Sequence, residues 1–138
     1  MNYWLFKSEP SAWSWQKQIA VGPSGTGWSG VRNHLAKQNM MKMRCGDLGF
    51  FYHSNEGKEI VGIVEVIREY YPDDSDPTGK FMMVDVKAVQ LMPKPVTLTQ
   101  VKAIPALAAM SLITSARLSV QPVTAAEWKI ICQLGGVR

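Results

Sequence analysis

Four short runs of apolar and aromatic residues restrict this chain to a fold built around a small β-sheet. The runs cover residues 2–7, 48–53, 59–67 and 81–91. Each is rich in aromatic or β-branched residues and is followed within a few residues by turn-forming residues, which is typical of β-strands. A fifth, shorter strand is predicted over 117–120, because Pro122 would end it.

Two longer helices are predicted between and after these strands. Residues 32–44 place three apolar side chains on one stripe at helical spacing: Ala36, Met40 and Met43. A second helix begins after Thr124, which forms a capping-box sequence with Glu127, and it ends at Gly135-Gly136. Because strands and helices are interspersed without a repeat, the pattern predicts one mixed α/β (α+β) domain covering residues 1–138.

A shorter helix and a glycine-rich loop are predicted before the helix at 32–44. Residues 11–20 offer Ser11 as an N-cap and place Trp15 and Ile19 four positions apart on one helical face. Residues 21–30 contain four glycines and a proline, which favours a loop over a regular element.

Composition indicates the class of protein and the compartment in which we expect it. With 46% hydrophobic and 19% charged residues the chain is globular, and no apolar run approaches the ~18 residues of a membrane span. The first ten residues reach a charge and a proline too early for a signal peptide. We therefore expect a cytoplasmic protein, or a nuclear one if the source is eukaryotic, with no membrane partner and a monomer favoured over an oligomer.

The two cysteines predict neither a disulfide nor a metal site. Cys45 and Cys132 lie far apart in the chain, and the only other soft ligands are His34 and His53. A structural zinc site normally needs four ligands in clustered pairs. We expect two reduced, buried cysteines, no metal and no cofactor.

Positive charge and tryptophan are concentrated in the first third of the sequence. Residues 1–47 carry a net charge of +4, whereas residues 48–138 sum to zero. The same third contains four of the five tryptophans: Trp4, Trp13, Trp15 and Trp28. Cations beside flat aromatic rings suit a nucleic-acid surface, because phosphates attract cations and bases stack on rings. A solvated basic face over a tryptophan-containing core has the same composition, so charge alone leaves both interpretations open.

Residues 25–30 spell G-x-G-x-x-G, but their context argues against dinucleotide binding. Asp47 follows at about the spacing of the acidic residue in that fingerprint. However, no clear strand leads directly into the glycines, and the bulky Trp28 stands where the backbone should approach a pyrophosphate. A hydrolase-like set is equally unsupported, because no nucleophile elbow accompanies its possible members, Ser8, Glu9, His53 and Ser54.

Polar residues cluster at the ends of four predicted elements. The clusters are residues 7–10, 28–33, 52–55 and 117–119. If the strands bring these ends together, they form one pocket with hydroxyls, an imidazole, an amide and an aromatic plane. That inventory suits a flat heterocycle, held by stacking on one face and by hydrogen bonds at its edge. The alternative is a set of unrelated caps and turns.

The same stretches resemble the EVE domain, a branch of the PUA-like superfamily related in fold to the YTH readers of methyladenine. The resemblance rests on residues 4–10, 28–33, 46–54 and 117–122, in family order, and extends from residue 2 to about 131. It implies a PUA-like β-barrel with short helices around it. It also implies a non-enzymatic domain that binds a modified nucleobase in DNA or RNA.

The resemblance implies which residues form the base-binding pocket. They are Lys7, Ser8, Trp28, Val31, Arg32, Asn33, Tyr52, His53, Ser54, Arg117, Leu118 and Ser119. Trp28 or Tyr52 would stack on the base, and Lys37 and Lys42 would hold backbone phosphates. The alternative function is an enzyme acting on a nucleotide or nucleic acid, with His53 as general acid or base.

Trp28 is the most informative of these positions. Its neighbours are Gly27, Ser29 and Gly30 rather than a periodic apolar segment. Since loop residues on a rigid scaffold often carry function, we expect Trp28 in a pocket or lid position outside the deep core.

Overall fold

Six strands form one mixed sheet in the computed structural model of the chain, which describes residues 1–137. The strand order is β2-β5-β4-β3-β1-β6, and every neighbouring pair is antiparallel except β1 and β3, which run parallel. The strands are β1 (Tyr3–Ser8), β2 (Thr26–Gly27), β3 (Leu48–His53), β4 (Glu59–Pro72), β5 (Met82–Thr97) and β6 (Val120–Val123).

The sheet of residues 1–137 is open, so the term barrel in the expected PUA-like β-barrel applies to it only loosely. The outer strands β2 and β6 each pair with one neighbour only, and no ladder of hydrogen bonds joins the two edges within these residues. Shifts of register between β4 and β5 mark bulges, which bend and twist a sheet without closing it.

Five helices pack around this sheet, so the predicted mixed α/β class is confirmed. They are α1 (Trp15–Ala20), α2 (His34–Lys42), α3 (Leu98–Lys102), α4 (Ser111–Thr114) and α5 (Ala125–Gly135). Single turns of 3-10 helix lie at Gly22–Ser24 and Pro105–Leu107. None of the helices within residues 1–137 is long and apolar enough to cross a membrane.

Both faces of the central strands are covered, which explains their nearly continuous apolar sequences. In β1, Phe6 belongs to the core under α2, whereas Leu5 belongs to the core under α5. The helix α2 contributes Ala36, Met40 and Met43 to the first core, which confirms its predicted apolar stripe. The helix α5 contributes Trp128 and Ile131 to the second core.

The capping box predicted for α5 is confirmed. The Thr124 hydroxyl accepts a hydrogen bond from the Glu127 amide at 3.1 Å, and the Glu127 carboxylate accepts one from the Thr124 amide at 2.9 Å. At the other end Gly136 adopts φ 75°, a left-handed conformation that glycine reaches without strain. The helix is therefore bounded by its own sequence at both ends.

Helix α1 begins later than predicted. Ser14, not Ser11, is its N-cap and accepts a hydrogen bond from the Lys17 amide. Gln18 is fully buried, whereas Ile19 is 49% exposed, so the predicted apolar pair of Trp15 and Ile19 is wrong. The cause is tertiary, because Gln18 Nε2 donates to the Val86 carbonyl of β5 and draws that face of the helix onto the sheet.

The last strand and one cysteine also differ from expectation. Strand β6 covers Val120–Val123 and includes Pro122, which an edge strand tolerates because its missing N–H need not face a partner. Both cysteines are free, as predicted, but Cys45 is exposed and Cys132 is only half-buried.

Asp47 joins three parts of the chain through one buried carboxylate. Its oxygens accept hydrogen bonds from the Asn2 amide at 3.1 Å, Trp4 Nε1 at 3.0 Å and the Arg44 amide at 3.0 Å. This residue therefore fixes the start of β1 beside the turn between α2 and β3. Its role is structural, which agrees with the rejection of the dinucleotide fingerprint.

We expect Asp47→Ala to lower the free energy of unfolding by about 3 kcal/mol, because it leaves three donors without their charged acceptor. Urea unfolding followed by circular dichroism measures this change. Asp74→Ala is the control, since Asp74 lies exposed in the loop after β4. Equal stability of the two variants would contradict the role assigned to Asp47.

Candidate functional site

A cavity of about 540 Å³ opens between two segments of the first third of the chain. Its lining comes from residues of segment 7–13, from segment 26–33 and from Ser119. The volume lies within the range of small-molecule sites, about 300–1,000 Å³. The lining residues are Lys7, Ser8, Glu9, Ala12, Trp13, Thr26, Gly27, Trp28, Ser29, Gly30, Val31, Arg32, Asn33 and Ser119.

Trp28 belongs to the core and to the cavity wall at once. Its side chain is only 7% exposed, and its ring packs edge-on against Phe6 at 5.1 Å and Phe51 at 5.5 Å between centroids. Its amide donates to the Val84 carbonyl of β5 at 2.7 Å. The expectation of a position outside the deep core is therefore wrong, because packing against two phenylalanines buries most of the indole.

Trp13 is a cavity residue that sequence reasoning missed. Its Nε1 donates to Gln18 Oε1 at 2.8 Å, and its carbonyl accepts a hydrogen bond from Ser8 Oγ at 2.6 Å. Because Gln18 is fully buried, these bonds fix a second indole, beside that of Trp28, in the lining of the cavity. The sequence did contain one indication of this role, because Trp13 follows the polar cluster 7–10 after only two residues.

Asp73 holds the wall that contains Trp28. Its Oδ2 accepts hydrogen bonds from the Gly30 amide at 2.8 Å and from the Arg32 guanidinium at 3.2 Å. Burial alone would raise the pKa of Asp73, but hydrogen bonds from Ser75, Gly30 and Arg32 outweigh it and hold the pKa below its usual value. Arg32 is thus an anchor of the loop as well as a cavity residue.

Two polar side chains on the cavity wall already have part of their hydrogen-bonding capacity committed. Asn33 is the N-cap of α2, and its Oδ1 accepts a hydrogen bond from the Ala36 amide at 2.9 Å. Its Nδ2 remains as a donor. The Ser8 hydroxyl donates its hydrogen bond to the Trp13 carbonyl, so the Ser8 oxygen remains available as an acceptor. The cavity can therefore offer one donor and one acceptor to a polar ligand edge.

Seven of the twelve predicted pocket residues line this cavity: Lys7, Ser8, Trp28, Val31, Arg32, Asn33 and Ser119. The other five do not. Tyr52 is buried in the opposite core, Leu118 is buried in the core under α2, and Arg117 is exposed. Ser54 donates its amide hydrogen to the Ser8 carbonyl and supports the wall from behind.

His53 lies on the cavity face of β3 but is covered by α1. Its Nε2 accepts a hydrogen bond from the Trp15 amide at 3.1 Å, which satisfies a free N–H at the start of that helix. Burial lowers the pKa of His53, and the nearby Glu59 carboxylate opposes part of that shift. This nitrogen is engaged in holding a helix, so the geometry does not favour its use as a general acid or base.

The predicted phosphate-binding lysines lie on α2 and do not line the cavity. Lys37 is half-buried, with its Nζ 6.0 Å from the centroid of the Phe81 ring, and Lys42 is exposed in the last turn. Among the cavity-lining residues, Lys7 Nζ donates to the Ala116 carbonyl at 2.6 Å. Burial lowers the pKa of Lys7.

The fold of the chain is PUA-like. A YTH domain from Zygosaccharomyces rouxii MRB1, solved in complex with N6-methyladenosine RNA, has a TM-score of 0.58 at 16% identity over 97% of this chain and 86% of that chain. At that identity the likeness shows the fold alone. The family model of the EVE domain matches residues 2–134, so the chain belongs to the EVE domain family.

Closer relatives agree with this assignment. Thymocyte nuclear protein 1 of Rattus norvegicus is 34% identical over 96% of this chain and 73% of its own length. The NMR structure of Rpa0253 from Rhodopseudomonas palustris is 61% identical with a TM-score of 0.93, covering 99% of this chain and 94% of that one. Human THYN1, solved in complex with 5-methylcytosine-containing DNA, is 30% identical with a TM-score of 0.93, covering 100% and 99%.

We expect Trp28→Ala to lower the free energy of unfolding by roughly 3–5 kcal/mol, because it removes an indole packed between two core phenylalanines. Trp28→Phe keeps an aromatic ring there and is expected to lose less. Urea unfolding followed by circular dichroism compares the two. A Trp28→Ala protein as stable as wild type would show that the loop, not the indole, holds this wall.

The lowered pKa of His53 predicts a loss of stability on acidification. Because the folded state favours neutral imidazole, stability is complete above the unfolded pKa of about 6.5 and falls as pH drops through the folded pKa. We expect His53→Gln, whose amide oxygen can still accept from Trp15, to remove this slope between pH 7 and 5. Urea unfolding at each pH tests it, and His34→Gln, at an exposed histidine, should keep the wild-type slope.

Proposed function

We propose that this chain binds a modified nucleobase in DNA or RNA, held in the cavity between Trp13 and Trp28, without chemical conversion of the base. The observation that carries the proposal is that two indoles, Trp13 and Trp28, line one cavity in the basic third of the chain. The human relative solved with 5-methylcytosine-containing DNA supports it from a structure of the same family.

The cavity requires the base to leave its stack before it binds. Extrusion of a base costs a few kcal/mol of lost stacking and pairing, and less when the strand is already single. Stacking on an aromatic side chain returns about 1–3 kcal/mol per base. Trp13 contributes this stacking at little cost in ordering, because hydrogen bonds through Gln18 and Ser8 already fix its position.

The edge of the base is read by Asn33 and Ser8. The Asn33 amide nitrogen faces an acceptor on the base, and the Ser8 oxygen faces a donor, because their other capacities are used within the protein. Bases carry both kinds of group along one edge, so this pair orients the ring. Ser119, at the side of the cavity, adds a hydroxyl that can serve either role.

The nucleic-acid backbone lies across the basic residues around the cavity. We assign Arg117, Lys37 and Lys42 to phosphate contacts, which add affinity without reading sequence. Arg32 contributes positive charge at the wall while its guanidinium stays bound to Asp73. Nucleic acid, DNA or RNA, is therefore the proposed partner of a monomeric domain covering residues 1–138.

Binding without catalysis is favoured over the enzymatic alternative. His53, the residue proposed as general acid or base, does not line the cavity and uses Nε2 to hold α1. An assay for product formation on modified oligonucleotides separates the two functions. We propose that the protein acts in the cytoplasm, or in the nucleus if its source is a eukaryote. The name of the rat relative, thymocyte nuclear protein 1, supports the second location.

We expect Trp13→Ala to weaken binding to a modified oligonucleotide by about 1–3 kcal/mol, the value of one stacking contact. The measurement is fluorescence anisotropy against a panel of single-stranded and duplex oligonucleotides, each with one modified base. The probes include 5-methylcytosine DNA and N6-methyladenosine RNA. Tyr70→Ala is the matched control, because Tyr70 is 43% exposed on β4 and does not line the cavity.

Equal losses for the two aromatic variants would contradict stacking on Trp13. The salt dependence provides an independent check, because log affinity for a single strand should fall with log salt at a slope near −0.7 per phosphate contact. An affinity that does not change with salt would contradict a nucleic-acid partner and favour a free nucleobase.

A further inference from the structure

Leu35 is an exposed apolar residue on a helix that does not need it for packing. It is 53% exposed, although it lies in the first turn of α2. The core face of that helix is completed by Ala36, Met40 and the following Met43, each fully buried. The residue is therefore free to contact a partner without disturbing the fold.

The helix geometry places Leu35 beside the cavity. Residues four apart lie on the same helical face, so Leu35 is one turn before Asn39. Asn39 Nδ2 donates to the Val120 carbonyl at 2.8 Å, so this face of α2 runs along the start of β6. Leu35 follows the cavity-lining residue Asn33 by two positions, and the Asn39 face of its helix contacts the strand that follows the lining residue Ser119.

Basic groups lie near the start of β6, the strand that α2 contacts through Asn39. Arg117 is exposed two residues before Ser119, and Lys7, on the adjacent strand, donates to the Ala116 carbonyl. An apolar side chain among cations matches a nucleic-acid duplex, whose phosphates lie outside and whose stacked bases lie inside. Leucine is one of the side chains that proteins insert between base steps.

We infer that Leu35 is an apolar wedge that enters the base stack of a duplex at the place vacated by the base in the cavity. This inference rests on the proposed function and adds to it the form of the partner, a double strand. The wedge replaces part of the stacking lost on extrusion. It serves no purpose on a single strand, where the neighbouring bases need not remain stacked.

The test compares Leu35→Ala with wild type on one duplex and one single strand, both containing a single 5-methylcytosine, with the corresponding N6-methyladenosine RNAs in parallel. We expect Leu35→Ala to bind the duplex at least about tenfold more weakly and the single strand as wild type does. Leu35→Phe, which keeps an apolar wedge, should retain duplex binding. Alanine favours helix, so folding of α2 is preserved.

Leu91→Ala is the matched control, since Leu91 is 60% exposed on β5 and does not line the cavity. Wild-type duplex affinity in Leu35→Ala would overturn the wedge and leave the proposed function intact. An equal loss on duplex and single strand would also overturn it. A wild-type protein that binds none of the four probes would overturn the proposed function and the wedge together.

Discussion

The packing of Trp28 against Phe6 and Phe51 is the contact on which the rest of the structure depends. Trp28 follows the edge strand β2, whereas its two partners lie on β1 and β3, far along the strand order. One indole therefore draws distant parts of an open sheet together without a hydrogen-bonded closure. The same face is so tightly packed that a Cβ on Gly62 would lie 2.3 Å from the Trp15 ring, which explains a glycine in the middle of β4. Because Trp28 also lines the cavity, the fold and the site share one contact, and a change at this residue affects both.

Two buried carboxylates hold the loops in place, as the Trp28 indole holds distant strands of the sheet together. Asp73 ties the Gly30 amide and the Arg32 guanidinium to the loop after β4, and Asp47 ties Trp4 to the turn before β3. Folding removes water from several donors, and each carboxylate supplies those donors with hydrogen bonds to one charged group. Such bonds are stronger than those between neutral groups. The wall of the cavity is thereby held in place before any ligand arrives. A preorganised wall reduces the ordering cost of binding, which would help the proposed site to offset the extrusion of a base.

The cavity is suited to recognition because its polar groups are already partly engaged. Ser8 and Asn33 each use one hydrogen-bonding function inside the protein, and this commitment determines whether they face the ligand as acceptor or donor. Trp13 is likewise oriented through Gln18 rather than by a ligand. The histidine that sequence analysis offered as a catalyst is engaged with a helix terminus instead. The site thus consists of indole planes and hydrogen-bonding groups that contacts within the protein already hold in place.

The sequence by itself determined the strands β1 and β3, the first parts of β4 and β5, and the helices α2 and α5, because hydrophobic periodicity and capping are local properties. It did not predict β2, which lies in the glycine-rich stretch expected to be a loop, and it placed the last strand too early. It did not determine which side chains face the cavity. Phe51 and Tyr52 are neighbours in one aromatic run, yet they enter opposite cores because successive residues of a strand point to opposite faces. Pro122 entered an edge strand by pairing with Trp4, and Trp13 is held by Gln18, which in turn bonds to Val86 of β5. Only the tertiary structure decided these positions, since each depends on which faces of the sheet α1 and α2 cover.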